Sequence, residues 1–439
     1  MAGKKKQAQL TPEEKLQQAL VPEAEQPYKV PANWCWTRQN IACYLSDIEK
    51  IVNGEHPYLE AKFLRGLKKP KIVSAGKFIN KSSKVILVDG ENSGEVFDIF
   101  VDGYMGSTFR LLCFSEIVYE QYCRYFIIIN KEIYSKSKKG SAIPHLNKEL
   151  FFNMPFPLPP LVEQQRIVER IESLFAKLDE AKENLQNVLD GFEPRKAAIL
   201  HKAFTGELTV NWRKQHGVTM DSWEEKRLGE VCKINPSKIN TKNLSDDLEV
   251  SFFPMASLSE ITGEIVAPEI RTLRKVKNGF TNFSEGDVVF AKITPCMENG
   301  KSAIIGKLIN DIGYGTTEFY VLRCGEELSN KYLHYIVRSK KFRDEAKQNM
   351  TGAVGQQRVP KKYMEDYTLN LPTFSEQTEI VRIIDDLLAK EQQAKELAEN
   401  ALAKIELIKK SILARAFRGE LGTNNPADEP AVELLKQVL

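Results

Sequence analysis

The sequence has no apolar run of eighteen or more residues, so nothing in it reads as a membrane-spanning helix. Histidine is scarce. The five present (His56, His145, His201, His216, His334) lie far apart without HxxxH or HxH spacing, which gives a metal site little support. The seven cysteines form no CxxC pair and their number is odd, so reduced thiols in a cytoplasm are expected. The start, MAGKKKQAQLTPEEK, has lysines but no apolar segment after them, and does not read as a secretory signal. A large excess of one charge is missing too: 62 Lys+Arg stand against 59 Asp+Glu, a net of +3. That excludes a polycation but says little about local patches.

The motifs of several enzyme classes are absent. Neither a Walker lysine loop nor GxGxxG occurs, so nucleotide binding has no support. The only Pro-Pro, at Pro159-Pro160, is not the Asn-Pro-Pro-aromatic motif an adenine methyltransferase needs. Glu-Ala-Lys triplets occur three times without an upstream Pro-Asp partner and read as ordinary helix composition. The chain is expected to be non-catalytic and free of cofactors of its own.

What is present is a repeat. The 439 residues, 42% hydrophobic and 28% charged, exceed one ordinary domain. LPPLVEQQRIVERIESLFAKL from Leu158 matches LPTFSEQTEIVRIIDDLLAKE from Leu371, an offset of 213 that holds without a gap through AFTGEL (from Ala203) and AFRGEL (from Ala416). Upstream of each copy lies a segment opening on tryptophan with arginine four residues on, Trp34…Arg38 and Trp223…Arg227; beyond that the two segments diverge. The order is variable, constant, variable, constant.

In the first constant unit Ile167, Ile171, Leu174, Leu178, Ala181, Leu185, Val188 and Phe192 alternate at four and three residues, a heptad seam interrupted at Gly191 and Pro194. In the second the seam runs Ile380, Ile384, Leu387, Glu391, Ala394, Ala398, Ala401, Ile405, Ile408, Ile412. Bulky residues in the middle of one and small ones in the other suggest leucine packing on alanine in an antiparallel pair within one chain. A thirty-residue helix is roughly 45 Å long, more than one turn of B-DNA at about 34–36 Å.

The variable segments mix β-like runs (KVILVDG, EVFDIFVDG, RYFIII, GDVVFAKI, EFYVLR) with helical ones (SEIVYEQYCRYF, NKYLHYIVRSKKFRDEAKQ), which predicts α+β heads. Basic clusters fall in the heads: Lys62, Arg65, Lys68, Lys69 and Lys71, then Lys77, Lys81 and Lys84; in the second head Arg271, Arg274, Lys275 and Lys277, then Arg338, Lys340, Lys341 and Arg343. Such clusters suit phosphate contact, although any one of them alone is as well read as a solvated face. Small and amide side chains form loops at 103–108, 140–145 and 352–358, where Gln and Arg suit paired hydrogen bonds to base edges. At the 213 offset His145 corresponds to Arg358 and Lys148 to Lys361.

The doubled LPxxxEQxxIV…helix…AFxGEL unit behind two divergent heads resembles the specificity subunit of Type I restriction–modification systems, as do FSEGDVVFAKITPCMENGK (283–301) and GSAIPHLNKEL running into FPLPPLVEQ. The resemblance covers about residues 34–422. It implies an α+β protein with a pseudo-twofold internal repeat, in which two target-recognition domains are separated by two long helices in an intramolecular antiparallel coiled coil. Each head would read half of a bipartite, asymmetric double-stranded DNA site. The helices would set the gap and dock two methyltransferase (modification) subunits. Motor-endonuclease (restriction) subunits would complete the complex, and S-adenosylmethionine, ATP and Mg2+ would belong to those partners. The divisions expected are an arm (1–33), a first head (34–157), a first spacer region (158–212), a linker (213–222), a second head (223–370), a second spacer region (371–422) and a tail (423–439). Residues 1–33, with Thr11-Pro12-Glu13-Glu14 as a capped helix start, either pack on the C-terminal VELLKQVL or are disordered.

Candidate DNA contacts are Lys77, Lys81, Lys84, Tyr104, Ser107, Thr108, Lys138, Lys139 and His145 in the first head, and Lys292, Thr294, Lys301, Gln356, Gln357, Arg358 and Lys361 in the second. Candidates for the helix-pair core and subunit docking are Glu163, Gln164, Ile167, Ile171, Leu174, Leu178 and Leu185, with Glu376, Gln377, Ile380, Ile384, Leu387, Ile405 and Ile412. A competing reading, a coiled-coil scaffold with peptide-binding heads, predicts no salt-dependent DNA binding; a nuclease or methylase reading lacks its motifs.

Overall fold

The computed structural model describes residues 11–137, 144–353 and 355–439. The chain divides into two units, one built from the chain up to Leu185 together with Asn400–Leu439, the other from Gln186–Glu399. Two long helices, Leu161–Asp190 and Phe374–Phe417, contribute residues to both. No helix among the described residues is long and apolar enough to cross a membrane.

Each head is closed at its base by a two-stranded antiparallel ribbon. In the first unit Cys35–Arg38 pairs with Pro155–Leu158, and in the second Glu224–Arg227 pairs with Thr368–Leu371. Prolines 155 and 157 are tolerated because this strand is paired on one side only. The ribbon explains why the tryptophan-led segment and the Leu-Pro segment recur together: they are the two ends of one inserted domain.

Above the ribbon the heads share a topology despite their sequence divergence. In the first, a four-stranded sheet runs Cys43–Ser46, Phe109–Phe114, Lys84–Leu87, Val96–Asp98 in spatial order; in the second, Cys232–Ile234, Phe319–Cys324, Val288–Ala291, Ser302–Ile304. Beside it, Ile51–Leu59, Ile72–Ile79 and Gly103–Met105 close on one another as a small barrel in the first head. In the second head Glu269–Thr272, Glu249–Phe253, Gly313–Gly315 and Thr281–Phe283 form an open sheet. Four of the five expected β-runs contain strands. The fifth, RYFIII, lies in the helix Glu120–Ile129, which buries Tyr122, Cys123, Tyr125, Phe126 and Ile127. A short apolar run fits a buried helix as well as a strand, and here packing decides.

The first constant helix is thirty residues long and breaks at Gly191, where Phe192–Phe204 begins a second helix; the other runs unbroken for 44 residues. In the first unit Lys182 pairs with Glu406 at 3.0 Å and Asp179 with Lys409 at 2.5 Å, so a step forward along one helix is a step back along the other. In the second unit Arg195 meets Glu391 at 2.7 Å and Lys395 lies 5.0 Å over the Phe192 ring, again antiparallel. This register keeps the leucine-on-alanine expectation at Leu185, which falls opposite Ala401 and Ala403, and corrects it at Leu178. Leu178 falls opposite the Ile408–Ile412 stretch, while Ala394 and Ala398 lie near the Gly191 break.

Both AFxGEL motifs do the same work. Gly206 and Gly419 take left-handed backbone angles (φ 79° and 74°), ending their helices as only glycine does without strain. Phe417 packs on Tyr122 and Phe126 (ring centroids 5.0 and 5.3 Å), and in the second unit Phe204 packs on Tyr332 at 5.6 Å. The arm folds as well from Thr11 onward, its first ten residues lying outside the described ones. Pro12–Ala19 is a helix with a Thr11/Glu14 capping box, its Lys15 Nζ donates to the Leu439 carbonyl at 2.8 Å, and Leu16 and Ala19 join Ala431 and Leu435 in one core.

Candidate nucleic-acid interface and the joints that carry it

The Glu-Gln pair that opens each constant helix is fully buried, and in both units it fastens head to helix. Gln164 Oε1 accepts the Tyr119 N–H at 2.7 Å, and its Nε2 donates to the carbonyls of Ile117 (3.1 Å) and Pro159 (3.0 Å). Gln377 does the same with the Ser329 N–H (2.8 Å) and the carbonyls of Glu327 (2.7 Å) and Pro372 (2.9 Å). A glutamine amide is suited to this, because it satisfies one backbone donor and two acceptors at once.

The neighbouring glutamate receives the tryptophan. Trp34 Nε1 donates to Glu163 at 2.8 Å, and Trp223 Nε1 to Glu376 at 2.9 Å. A buried carboxylate needs further donors, and the two units supply different ones. Glu163 takes Asn424 Nδ2 at 2.8 Å and Thr423 Oγ1 at 3.5 Å. Glu376 takes Thr209 Oγ1 at 2.7 Å and Arg213 Nη1 at 2.6 Å. Without a cation this close, burial raises the Glu163 carboxyl above its ordinary range. Sequence reasoning named the glutamates but missed Thr209, Arg213, Thr423 and Asn424. The available signal was that a repeated acid in an apolar seam requires donors.

Below the joint, Ile167 and Ile171 in the first unit and Ile380 and Ile384 in the second are completely buried against their heads, and Ile405 is buried as well. Leu174, Leu178, Leu185, Leu387 and Ile412 are only half-buried, since a helix pair covers one face of each rod and leaves its flanks to solvent.

The DNA-contact candidates divide by position. In the first head Lys77 pairs with Asp47, and Lys84 sits between Asp98 (3.1 Å) and Glu120 (3.2 Å). The Lys77 partner holds the Asp47 carboxyl below its usual value. Lys81 and Ser107 are exposed and Thr108 is half-exposed. Tyr104 is in the core: fully buried, its hydroxyl takes the Asn53 N–H at 2.8 Å and donates among the carbonyls of Gly54 and Ser74, both at 2.9 Å. Gly103 and Gly106, which prompted its selection, approach backbone within the barrel instead of a ligand. Lys138 and Lys139 lie outside the described residues. His145 is 54% exposed, with Nδ1 2.7 Å from Asp89 Oδ1.

In the second head Arg358 is clamped by Glu318, with Nε and Nη2 each 2.9 Å from a carboxylate oxygen. This arginine is the main reason the Glu318 carboxyl lies below its usual range. Lys292 Nζ lies 5.4 Å over the Tyr320 ring. Thr294 and Gln357 are half-exposed and Gln356 is exposed. Lys301 Nζ is 3.4 Å from the Met255 carbonyl, and Lys361 pairs with Glu365 one helical turn on. Backbone hydrogen bonds on either side of Arg358 tie its segment to Lys292 and Thr294: Thr294 N to Gln357 O at 3.0 Å and Val359 N to Lys292 O at 2.9 Å. Lys361 is set apart from them by its position in the next helix.

A family model described as Type I restriction modification DNA specificity domain matches residues 39–190 and again 220–401. The Type I restriction enzyme EcoEI specificity subunit of Escherichia coli is 35% identical over 260 residues, covering 50% of this chain and 43% of that one; the EcoAI specificity subunit of the same organism is 35% identical over 260 residues, covering 50% and 44%. The chain thus spans less than half the length of these two relatives. The HsdS subunit from Thermoanaerobacter tengcongensis has the same fold, with a TM-score of 0.60 at 20% identity over 90% of this chain and 100% of that one. With one family model matched twice over most of its length, the chain belongs to the Type I restriction–modification DNA specificity family.

Proposed function

We propose that this chain is the DNA-recognition subunit of a Type I restriction–modification complex, non-catalytic and working in the cytoplasm. Each head reads one half of a bipartite, asymmetric double-stranded site. The constant helices fix the gap and dock two modification subunits, which methylate adenine. Restriction subunits add cleavage, and S-adenosylmethionine, ATP and Mg2+ are bound by these partners. One observation carries the reading: two heads of shared topology and unlike sequence are fastened to constant helices by the same tryptophan–glutamate and glutamine–backbone joint. That is the construction a protein needs when its reading surface changes and its frame must not.

The test is to express the chain with its modification subunits, map methylated adenines, and then exchange residues 223–370 for the equivalent head of a relative. The expected result is a bipartite site in which one half changes and the other half and the gap persist. Methylation without sequence preference, or a change in both halves, overturns the proposal.

A further inference from the structure

The segment before each constant helix is held by three equivalent backbone hydrogen bonds. In the second head Lys292 N donates to Glu318 O at 2.9 Å, Val359 N to Lys292 O at 2.9 Å and Thr294 N to Gln357 O at 3.0 Å. In the first head Val88 N donates to Thr108 O at 2.9 Å, Leu146 N to Val88 O at 2.8 Å and Gly90 N to Pro144 O at 2.7 Å. The hydrogen-bond patterns correspond position for position: Val88 to Lys292, Thr108 to Glu318 and, between the bonded neighbours, His145 to Arg358, the last pair standing at the 213 offset of the constant units. The hydrogen-bond pattern is shared, yet every one of these side chains differs.

At the tip of the frame stands one exposed nitrogen-bearing side chain braced by a carboxylate. Arg358 is 43% exposed and braced by Glu318; His145 is 54% exposed and braced by Asp89. The braces come from different frame positions, since Thr108 occupies the place of Glu318 and Asp89 lies next to Val88. Two unrelated braces at one spot indicate that a held orientation is what matters there.

We propose that positions 358 and 145 are the base-reading residues of the two heads, and that Arg358 reads a guanine. This rests on the DNA-recognition reading above and assigns it a residue and a base. Of the five guanidinium hydrogens, two go to Glu318 and one, on Nη1, to the Gln356 carbonyl at 3.0 Å. One hydrogen remains on each Nη, the pair that matches the O6 and N7 acceptors of guanine in the major groove. Glu318 is a positioning residue, holding the fork so that little side-chain freedom is lost on binding. At His145 the carboxylate accepts the Nδ1 hydrogen, leaving Nε2 as the reading atom, with one hydrogen bond where Arg358 has two.

The test is selection of bound duplexes from a randomised DNA library by the full chain in complex with its modification subunits. Arg358→Gln and Arg358→Lys should each lose guanine preference at one position of one half-site by roughly tenfold to a hundredfold, with the other positions and the other half intact. Glu318→Gln should relax that same position alone, which a merely structural role would not do. His145→Ala should relax one position in the opposite half, and decides the matter independently if an Arg358 variant fails to melt like the wild type. An unchanged guanine, a uniform loss across all positions, or an effect in both halves overturns the assignment. A wild-type complex that selects no bipartite sequence overturns the function reading itself.

Discussion

Arg213 and Glu376 form an ion pair at 2.6 Å with side-chain exposures of only 7% and 0%. Arg213 Nη2 also donates to the Gly206 carbonyl at 2.7 Å, so one guanidinium ties the turn after the first rod to the start of the second. Removing one partner of a buried pair strands the other as an uncompensated charge, which costs about 3–5 kcal/mol. Arg213→Ala is expected to destabilise the Gln186–Glu399 unit by that amount. Urea unfolding followed by the fluorescence of Trp212 and Trp223, with Trp34 and Trp36 replaced by phenylalanine in both proteins compared, checks it, and a loss under about 1 kcal/mol, the value of an exposed pair, would refute it.

Glu163 occupies the equivalent place with neutral donors, and its carboxyl is raised chiefly by burial. The sign of the consequence is fixed by linkage. In the window between the ordinary glutamate value of 4.5 and the raised folded value, the folded chain binds more protons than the unfolded one. Stability therefore falls as pH rises through that window. Glu163→Gln, which keeps an oxygen to accept the Trp34 N–H, should not show this fall. Urea midpoints of wild type and variant, measured from below 4.5 to neutrality, should shift in the variant's favour with increasing pH. A constant difference across the range would mean the carboxyl titrates alike in both states.

The antiparallel register, fixed by the Asp179–Lys409 and Lys182–Glu406 pairs, places Leu178 opposite the Ile408–Ile412 stretch. Leu178→Asp puts a carboxylate at a half-buried position of the seam. The lost burial and the charge's desolvation together cost about 2–3 kcal/mol. Thermal melting should show the loss, while Lys177→Asp, one residue away on the exposed face, should melt close to wild type. Equal melting of both variants would show that the seam does not hold the rods.

Much of this architecture was legible because the chain states it twice. The 213 offset located both constant helices and the loops bearing His145 and Arg358, and Gly191 with Pro194 marked the interruption that only the first helix has. What stayed hidden depends on distant contacts. Nothing local marks Arg213 as the partner of Glu376, which lies 163 residues away. RYFIII has the composition of a strand, and its helix is set by packing around Phe417. Tyr104, between small and glycine residues, resembles a surface loop residue until the barrel closes around it. Composition reads periodicity and repetition well; it does not read which buried group answers which.

The basic residues of the first head are not equivalent, and salt dependence should separate them. Lys77 and Lys84 already face carboxylates, so a phosphate would have to compete for them. On the exposed segment around Leu67, Lys68 takes Glu60 and Arg65 takes Glu95, while Lys62, Lys69 and Lys71 have no ion pair among the described residues. Each phosphate neutralised releases counterions and adds about 0.9 to the slope of log K against log salt. Replacing Lys62, Lys69 and Lys71 together with alanine should therefore lower the slope magnitude by about 2.7 if all three meet phosphates. The same exchange at Lys77 and Lys84 should lower it by less per residue, because each loss also frees an acid that repels the backbone. Titrations of a fluorescent duplex against the complex over a range of salt concentrations measure both. A slope untouched by the triple replacement would show that this segment stands clear of the DNA.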